Sequence, residues 1–198
     1  MSGIKGLIAS DIDGTLLGYE CVDLPKEVFD IINQLYKAGF AFCPSSGRQY
    51  SAMRKLFEPV ADKIYYICEN GAVIVGNGSE EEALVMSGTA MKQEDFMKLA
   101  QEIMELLDCD VIISGKTTYY LCGAKNALVD NLASSGAHVK NVDTLGEIKE
   151  KVFKVTLLSY KGEASKMYNA FAERWGDKYD VAVSGVITYK RLLMMFIG

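Results

Sequence analysis

The sequence predicts an α/β fold in which a parallel sheet is followed by a separate α+β module. Within the first 71 residues, three short apolar runs alternate with two segments of helical periodicity. Strands and helices in alternation are typical of a parallel sheet, because each helix carries the chain back to the start of the next strand. After Gly71 the pattern changes to hairpins and helices, which indicates a second module.

The first part of the chain contains three predicted strands, at residues 4–9, 40–43 and 64–68. A helix is predicted from Pro25 to about Ala38, and Gly39 ends it. Proline is favoured at the start of a helix and glycine just past its end. A shorter helix passes through Met53 and Phe57. Together these elements give the order expected of a parallel sheet.

The second part begins with a predicted hairpin, whose strands at residues 72–75 and 83–86 flank a turn around Asn77-Gly78. Asn-Gly is the preferred sequence of a tight hairpin turn. Helices are predicted at residues 92–107, 124–133 and 163–175, and strands at residues 111–114, 118–121, 152–159 and 179–183. This mixture of elements predicts an α+β module.

Two aspartates follow the first predicted strand in the stretch Asp11-Ile12-Asp13-Gly14-Thr15. The turn after the strand can bring both carboxylates to one place, and Gly14 supplies the backbone freedom that a sharp turn needs. Such a pair can bind a metal ion and attack a phosphate. The alternative interpretation is an ordinary Asp-Gly turn, which occurs in many unrelated folds.

This stretch closely resembles the first signature motif of the haloacid dehalogenase (HAD) superfamily of phosphohydrolases. The resemblance implies that Asp11 is the nucleophile and that Asp13 is the general acid and base. It also implies Mg²⁺ as the cofactor, with Asp11 and Asp13 as its ligands, and backbone amides around Ile12 that hold the phosphoryl oxygens.

A second stretch, Cys43-Pro44-Ser45-Ser46-Gly47-Arg48, resembles the second motif of the same superfamily. The resemblance implies that the Ser46 hydroxyl binds the phosphate. Gly47 permits close approach of the backbone because glycine has no Cβ, and Arg48 can bind the substrate as a planar fork. The alternative for this stretch is a polar turn between a strand and a helix.

A third stretch, Glu69-Asn70-Gly71-Ala72, resembles the Cof-type branch of the superfamily and adds Asn70 to the expected substrate-binding residues. That branch carries a large α/β cap. The resemblance therefore implies three regions: residues 1–82 as the N-terminal half of the core, residues 83–187 as the cap, and residues 188–198 as an atypical tail.

Two further motifs of the Cof-type branch, one with a phosphate-binding lysine and one with metal-binding carboxylates, have no counterpart after Gly185. We therefore expect a truncated or frameshifted product with weak magnesium binding. The first strand is expected to form an exposed sheet edge. The apolar stretch at residues 192–197 is expected to add a strand there, or the half-core to self-associate.

Composition narrows the remaining function classes. The 198 residues carry a net charge of −5, with no basic cluster, which argues against a nucleic-acid partner. The five cysteines, Cys21, Cys43, Cys68, Cys109 and Cys122, are odd in number and include no Cys-x-x-Cys pair, which argues against a disulfide framework and a zinc site. Cys43 and Cys68 are expected in the core. His138, the only histidine, is expected in a surface loop.

No apolar stretch is long enough to span a bilayer, and Asp11 and Asp13 interrupt any signal peptide. A cytoplasmic enzyme is therefore expected. The leading hypothesis is a HAD-type phosphatase that hydrolyses a small phosphorylated metabolite. Two alternatives stay open: a non-catalytic remnant or binding module, and a phosphotransferase similar to the phosphomutases.

Overall fold

The computed structural model describes residues 3–18, 21–124, 126–161, 164–186 and 192–197. The chain divides into two compact units, Met1–Gly88 and Thr89–Gly198. The predicted boundaries between half-core, cap and tail, after residues 82 and 187, stay a prediction.

The first unit contains a five-stranded sheet in the order β1-β2-β3-β4-β5. Its strands are β1 (Gly6–Asp11), β2 (Phe40–Ser45), β3 (Tyr66–Cys68), β4 (Val73–Val75) and β5 (Val85–Gly88), and its helices are α1 (Lys26–Lys37) and α2 (Tyr50–Leu56). Short 3-10 turns occupy Glu58–Lys63 and Glu69–Gly71. The first three strands run parallel, as predicted, and β4 and β5 form the predicted hairpin, which extends the same sheet.

The helix α1 forms where the sequence predicts it, for reasons that are local. Glu27 lies in its first turn and Lys37 in its last, so both charges complement the helix dipole. The chain leaves the helix through Gly39, whose φ of 85° is readily adopted only by glycine. The turn at Gly39 leads directly into β2.

The strand β1 is an edge strand, as predicted, because β2 pairs with one side of it and no described residue pairs with the other. Its apolar side chains are unusually accessible: Leu7 is 63% exposed and Ile8 is 39% exposed. These two residues point to opposite faces of the strand. Both faces of β1 are therefore accessible to solvent, the Leu7 face more than the Ile8 face.

The second unit contains a six-stranded sheet in the order β10-β11-β9-β6-β7-β8. Its strands are β6 (Cys109–Ser114), β7 (Thr118–Cys122), β8 (His138–Val142), β9 (Lys154–Ser159), β10 (Asp180–Val186) and β11 (Leu192–Ile197), and its helices are α3 (Gln93–Met104), α4 (Asn126–Ser134) and α5 (Ala164–Trp175). The β7 and β8 strands are parallel and the other pairs are antiparallel.

The core of the second unit has a layer on each face of this sheet. Residues from α3 and α5, including Leu99 and Phe171, pack with Leu157 of β9. Leu128 and Leu132 of α4 pack with Leu158 and the neighbouring strands in a second cluster. Because Leu157 and Leu158 are consecutive on one strand, they point to opposite faces. The second unit therefore has an α+β architecture with helices on both faces.

Two expectations about the second unit are wrong. His138 begins strand β8 rather than lying in a loop, although it is exposed as expected. The stretch at residues 192–197 does form a strand, but β11 pairs with β9 and β10 instead of the edge of β1. Its backbone groups are satisfied by β10, the strand that precedes it in the chain, and by β9.

The expected burial of two cysteines is confirmed, since Cys43 and Cys68 both lie in the core of the first unit. Across the described residues, no helix has the length and hydropathy needed to cross a membrane.

Candidate active site

The predicted site residues lie where three parallel strands end. In the register of the sheet, Asp11 at the end of β1 lies opposite Ser45 at the end of β2, and Ser45 lies opposite Ile67 of β3. Open parallel sheets bind their ligands at the carboxyl ends of the strands. The fold therefore brings the three quoted motifs to one edge of the first sheet.

The turn after β1 is organised around a single carbonyl. The Ile12 C=O accepts hydrogen bonds from the N–H groups of Thr15, Leu16 and Leu17, at 3.1, 2.9 and 2.9 Å. Gly14, with a φ of 87°, donates to the Leu17 carbonyl at 2.8 Å. The Ile12 side chain is fully buried and anchors the turn.

Asp11 is held by a residue whose role the sequence did not reveal. The Thr15 Oγ1 hydroxyl donates to Asp11 Oδ2 at 3.2 Å. Asp11 is exposed, and among the described residues Thr15 is its one side-chain hydrogen-bond partner. The bond fixes one carboxylate oxygen and leaves Oδ1 accessible. Thr15 belongs to the quoted motif, so its position was a signal that could have identified it.

Asp13 pairs with Arg48 across 35 positions of sequence. The Arg48 Nε and Nη2 donate to the two Asp13 carboxylate oxygens at 3.1 and 2.7 Å. The Arg48 side chain is 31% exposed and that of Asp13 is 49% exposed, so the pair lies in contact with solvent. Solvent-exposed ion pairs contribute only about 0–1 kcal/mol, so this fork can exchange partners readily. Arg48 therefore lies beside the Asp13 carboxylate.

Backbone hydrogen bonds join the Ser46 and Asn70 segments. The Ser46 N–H donates to the Ile67 carbonyl at 3.0 Å, and the Ser46 carbonyl accepts from the Asn70 N–H at 3.1 Å. The Ser46 Oγ accepts from the Arg48 N–H at 3.2 Å. Because this oxygen acts as an acceptor there, its proton remains available for donation to an anion. The structure therefore brings Ser46, Arg48 and Asn70 together.

Gly47 lies close to the side chain of Asn70. A Cβ placed on Gly47 would lie 2.9 Å from Asn70 Oδ1, closer than such atoms approach in proteins. Glu69, Asn70 and Gly71 all have a positive φ, of 54°, 62° and 94°. Glutamate in this region is uncommon, and such strain concentrates at functional sites. The sequence predicts a close approach of the backbone at Gly47, but it does not identify Asn70 as the neighbouring residue.

The thiol of Cys43, in β2, does not compete as a nucleophile. Burial raises the pKa of Cys43 to about 11, although a backbone hydrogen bond from Ile67 partly opposes this. At neutral pH the side chain is therefore the neutral thiol, which is a poor nucleophile. Asp11, by contrast, is exposed at the end of β1.

The donor set fits a magnesium ion in part. The Asp11 carboxylate and the Asp13 main-chain carbonyl offer hard oxygen ligands of the kind that Mg²⁺ binds, and magnesium sites often use only one or two carboxylates with waters and substrate phosphate. No group of three or more His, Cys, Asp or Glu side chains is placed to hold a metal ion in the part of the chain that the structure describes. A preformed protein cage is therefore absent from those residues.

Comparison with known proteins agrees with this geometry. The family of haloacid dehalogenase-like hydrolases matches residues 8–190. The 5-amino-6-(5-phospho-D-ribitylamino)uracil phosphatase YbjI of Escherichia coli (strain K12) is 24% identical over 172 residues, which are 86% of this chain and 62% of that protein. The chain thus spans less than two thirds of this relative's length.

Two solved structures share the fold. A structure from Eubacterium rectale superimposes with a TM-score of 0.78 at 23% identity. The superposition covers 98% of this chain and 70% of the Eubacterium rectale chain. The subclass IIB sugar phosphatase BT4131 superimposes with a TM-score of 0.66 at 20% identity, with the same 98% and 70% coverage. The resemblance to HAD phosphatases of the Cof type is confirmed. With its match spanning residues 8–190 and its aspartates at the end of a parallel strand, the chain belongs to the haloacid dehalogenase-like hydrolases.

Proposed function

We propose that this chain is a magnesium-dependent phosphohydrolase that acts on a small phosphorylated metabolite through an aspartyl-phosphate on Asp11. The observation that carries the proposal is the position of Asp11. It is exposed at the carboxyl end of β1, opposite Ser45, with one oxygen held by Thr15. A positioned carboxylate of this kind can act as a covalent nucleophile.

In the first step, Asp11 Oδ1 attacks phosphorus and the bond from phosphorus to the ester oxygen breaks. Asp13 gives a proton to the departing oxygen, acting as general acid. The Ser46 hydroxyl and backbone amides around Ile12 donate hydrogen bonds to the phosphoryl oxygens. The Thr15 hydroxyl keeps the nucleophile oriented, which lowers the entropic cost of the attack.

In the second step, water attacks the phosphorus of the aspartyl-phosphate and Asp13 accepts its proton. Inorganic phosphate leaves and the Asp11 carboxylate is restored. For either transfer, one Asp13 oxygen must leave the Arg48 fork. The substrate phosphate offers Arg48 a replacement anion of the same bidentate geometry. Substrate binding would thereby release Asp13 for proton transfer.

The Asp11 carboxylate and the Asp13 main-chain carbonyl would hold the magnesium ion, which when bound neutralises phosphate charge beside the nucleophile. Because no third acidic side chain is placed beside Asp11 and Asp13 among the described residues, we expect weak magnesium affinity. Turnover is accordingly expected to lie below the usual enzyme range of about 1–1,000 per second.

The proposed substrate is a phosphomonoester of a small polyol or sugar. The E. coli relative is named for a phosphorylated ribitylamino compound, and a structural neighbour is named a sugar phosphatase. Small hydroxylated compounds of this class are the first to assay. A cytoplasmic location, and the expectation of neither nucleic-acid nor membrane partners, stay predictions that rest on composition.

Two other functions remain candidates. A non-catalytic binding module would bind phosphate without turnover. A phosphotransferase similar to the phosphomutases would pass the phosphoryl group to a second hydroxyl rather than to water, so it would release little inorganic phosphate. Measuring released phosphate alongside substrate consumption separates all three.

The experiment is a magnesium-dependent phosphatase assay on the purified chain and its Asp11→Asn variant. This substitution preserves size but removes the nucleophilic charge, so turnover should fall to background. Asp23→Asn, another exposed aspartate of the first unit, is the matched control and should keep the parent rate. Equal rates for the parent and Asp11→Asn would exclude the proposed nucleophile.

A further inference from the structure

We propose that a cavity in the second unit, beside the start of α3, binds a small carboxylate with a planar apolar body. The cavity has a volume of about 200 Å³ and is lined by two segments of the chain, at residues 91–96 and 148–152. This inference goes beyond the proposed function, because the lining residues all belong to the second unit and take no part in the phosphate chemistry.

The apolar lining of the cavity is part of the buried core of the second unit. It consists of four side chains that are each at most 5% exposed: Met91, Phe96, Ile148 and Val152. A backbone hydrogen bond joins the two segments, because the Met91 N–H donates to the Val152 carbonyl at 2.8 Å. The core therefore fixes the apolar lining, and its shape does not depend on a ligand.

The polar lining provides cations that have no counter-ion. Lys149 and Lys151 line the cavity and are exposed, and neither forms an ion pair among the described residues. Gln93, the first residue of α3, also lines the cavity, and its side chain has no hydrogen-bond partner within the described part of the chain. Two ammonium groups and a side-chain amide can therefore donate to an anion.

The acidic residue of the lining, Glu150, contacts the turn between β6 and β7. Its Oε2 accepts from the Lys116 N–H at 3.1 Å, and its carboxylate lies against Gly115, where a Cβ would collide with it. This carboxylate and the two lysines give the lining a net charge of +1. A monoanion matches that charge better than a phosphate dianion does.

The volume of the cavity limits the apolar body of the ligand. An apolar cavity of about 150 Å³ accommodates benzene. A volume of about 200 Å³ therefore accommodates a benzene ring that carries one carboxylate. The ring would contact Phe96 and Ile148, and the carboxylate would accept from Gln93 and the lysines. The class of ligand is thus an aromatic monocarboxylate, for which benzoate is the probe.

The test is a titration of the full chain with benzoate, followed by NMR of the backbone amides. The amides of residues 91–96 and 148–152 should shift and saturate, with a dissociation constant in roughly the millimolar range for a ligand of this size. Benzamide has the same shape without the charge and should bind more weakly. Benzoate that causes no saturable shift of these amides would overturn the proposal.

Two variants test the recognition of charge. Lys149→Gln/Lys151→Gln removes both ammonium groups, so benzoate should bind roughly five- to tenfold more weakly. Gln93→Glu places a carboxylate beside that of the ligand and should also weaken binding, while a negative charge in the first turn favours the helix. The matched control, Lys140→Gln/Lys166→Gln, makes the same charge change at exposed positions outside the lining and should bind benzoate as the parent does.

Circular dichroism establishes that each variant is folded. Benzoate affinity that is unchanged in Lys149→Gln/Lys151→Gln would overturn the proposal, because the lysines would then not recognise the carboxylate.

Binding and catalysis fail separately in this design, because the titration requires no activity. If the cavity amides respond as expected but the parent hydrolyses no phosphomonoester, the cavity stands and the proposed function fails. If the parent is an active phosphatase whose cavity amides do not respond to benzoate, the proposed function stands and the cavity fails.

Discussion

The strands β1 and β9 have the same length and opposite environments. All six residues of β9 are buried, and the strand lies between β6 and β11. No residue of β1 is fully buried, and the strand is paired on one side among the described residues. The stability of this chain and its proposed chemistry therefore depend on different strands. The interior strand organises a core, while the accessible strand presents Asp11.

The largest stability effect should come from β9. Leu157→Ala removes a fully buried side chain from the core beneath α3 and α5, so it should cost about 2–5 kcal/mol of unfolding free energy. Trp175 lies in that core and is the only tryptophan, so its fluorescence during urea unfolding reports on the second unit.

The same substitution at two exposed leucines provides the comparison with Leu157→Ala. Leu107, in the same unit, is 91% exposed, and Leu7 of β1 is 63% exposed. Leu107→Ala and Leu7→Ala should each change stability by about 0.5 kcal/mol or less, measured by Trp175 fluorescence and by circular dichroism respectively. A Leu7→Ala cost as large as that of Leu157→Ala would mean that β1 is covered.

A smaller effect is expected at the loop beside β1. Gly47→Ala would place a Cβ 2.9 Å from Asn70 Oδ1, the end of a side chain that can turn aside, so it should cost about 1 kcal/mol, the low end of overpacking costs. Circular dichroism during urea unfolding measures this cost.

A double-mutant cycle isolates the contact. Asn70→Gly removes the side chain and tolerates the φ of 62°. In that background, Gly47→Ala should cost clearly less than it does alone. Equal costs in both backgrounds would locate the strain elsewhere in the loop.

Another small effect is expected from a carboxylate that stabilises the second unit. Lys178 donates to Asp95 Oδ1 at 3.0 Å and Tyr179 donates to Oδ2 at 2.8 Å. The hydrogen bond from Lys178 is the main cause of a lowered Asp95 pKa; partial burial opposes it and Tyr179 adds to it. A lowered pKa in the folded state stabilises the protein above the ordinary value of 3.8, and the contribution is lost as the pH falls through the lowered pKa.

Urea unfolding followed by Trp175 fluorescence between about pH 2 and pH 6 should show this loss, at most about 1 kcal/mol, because Lys178 is largely exposed. Asp95→Asn should flatten the pH dependence, whereas Asp130→Asn, at an exposed position of α4, should leave it unchanged. An identical slope in Asp95→Asn would assign the effect to another carboxylate.

The sequence alone predicted the parts of this fold that have local causes. The helix α1 follows from an apolar stripe between proline and glycine, and the parallel strands follow from short apolar runs separated by helices. The Asp11 motif was identified because its spacing is contained within five residues. Periodicity, caps and turn residues act over a few positions, so one sequence is enough to reveal them.

Only the tertiary structure decided which distant groups meet. The strand β8 is polar at His138 and Lys140, so it lacked an apolar signal, and it forms because β7 supplies its hydrogen bonds. The fork from Arg48 to Asp13 joins residues 35 positions apart. β11 lies between β10, the strand just before it, and β9, from which α5 and β10 separate it in the chain. The residues in each of these contacts come together only when the chain folds, so no local sequence pattern predicts them.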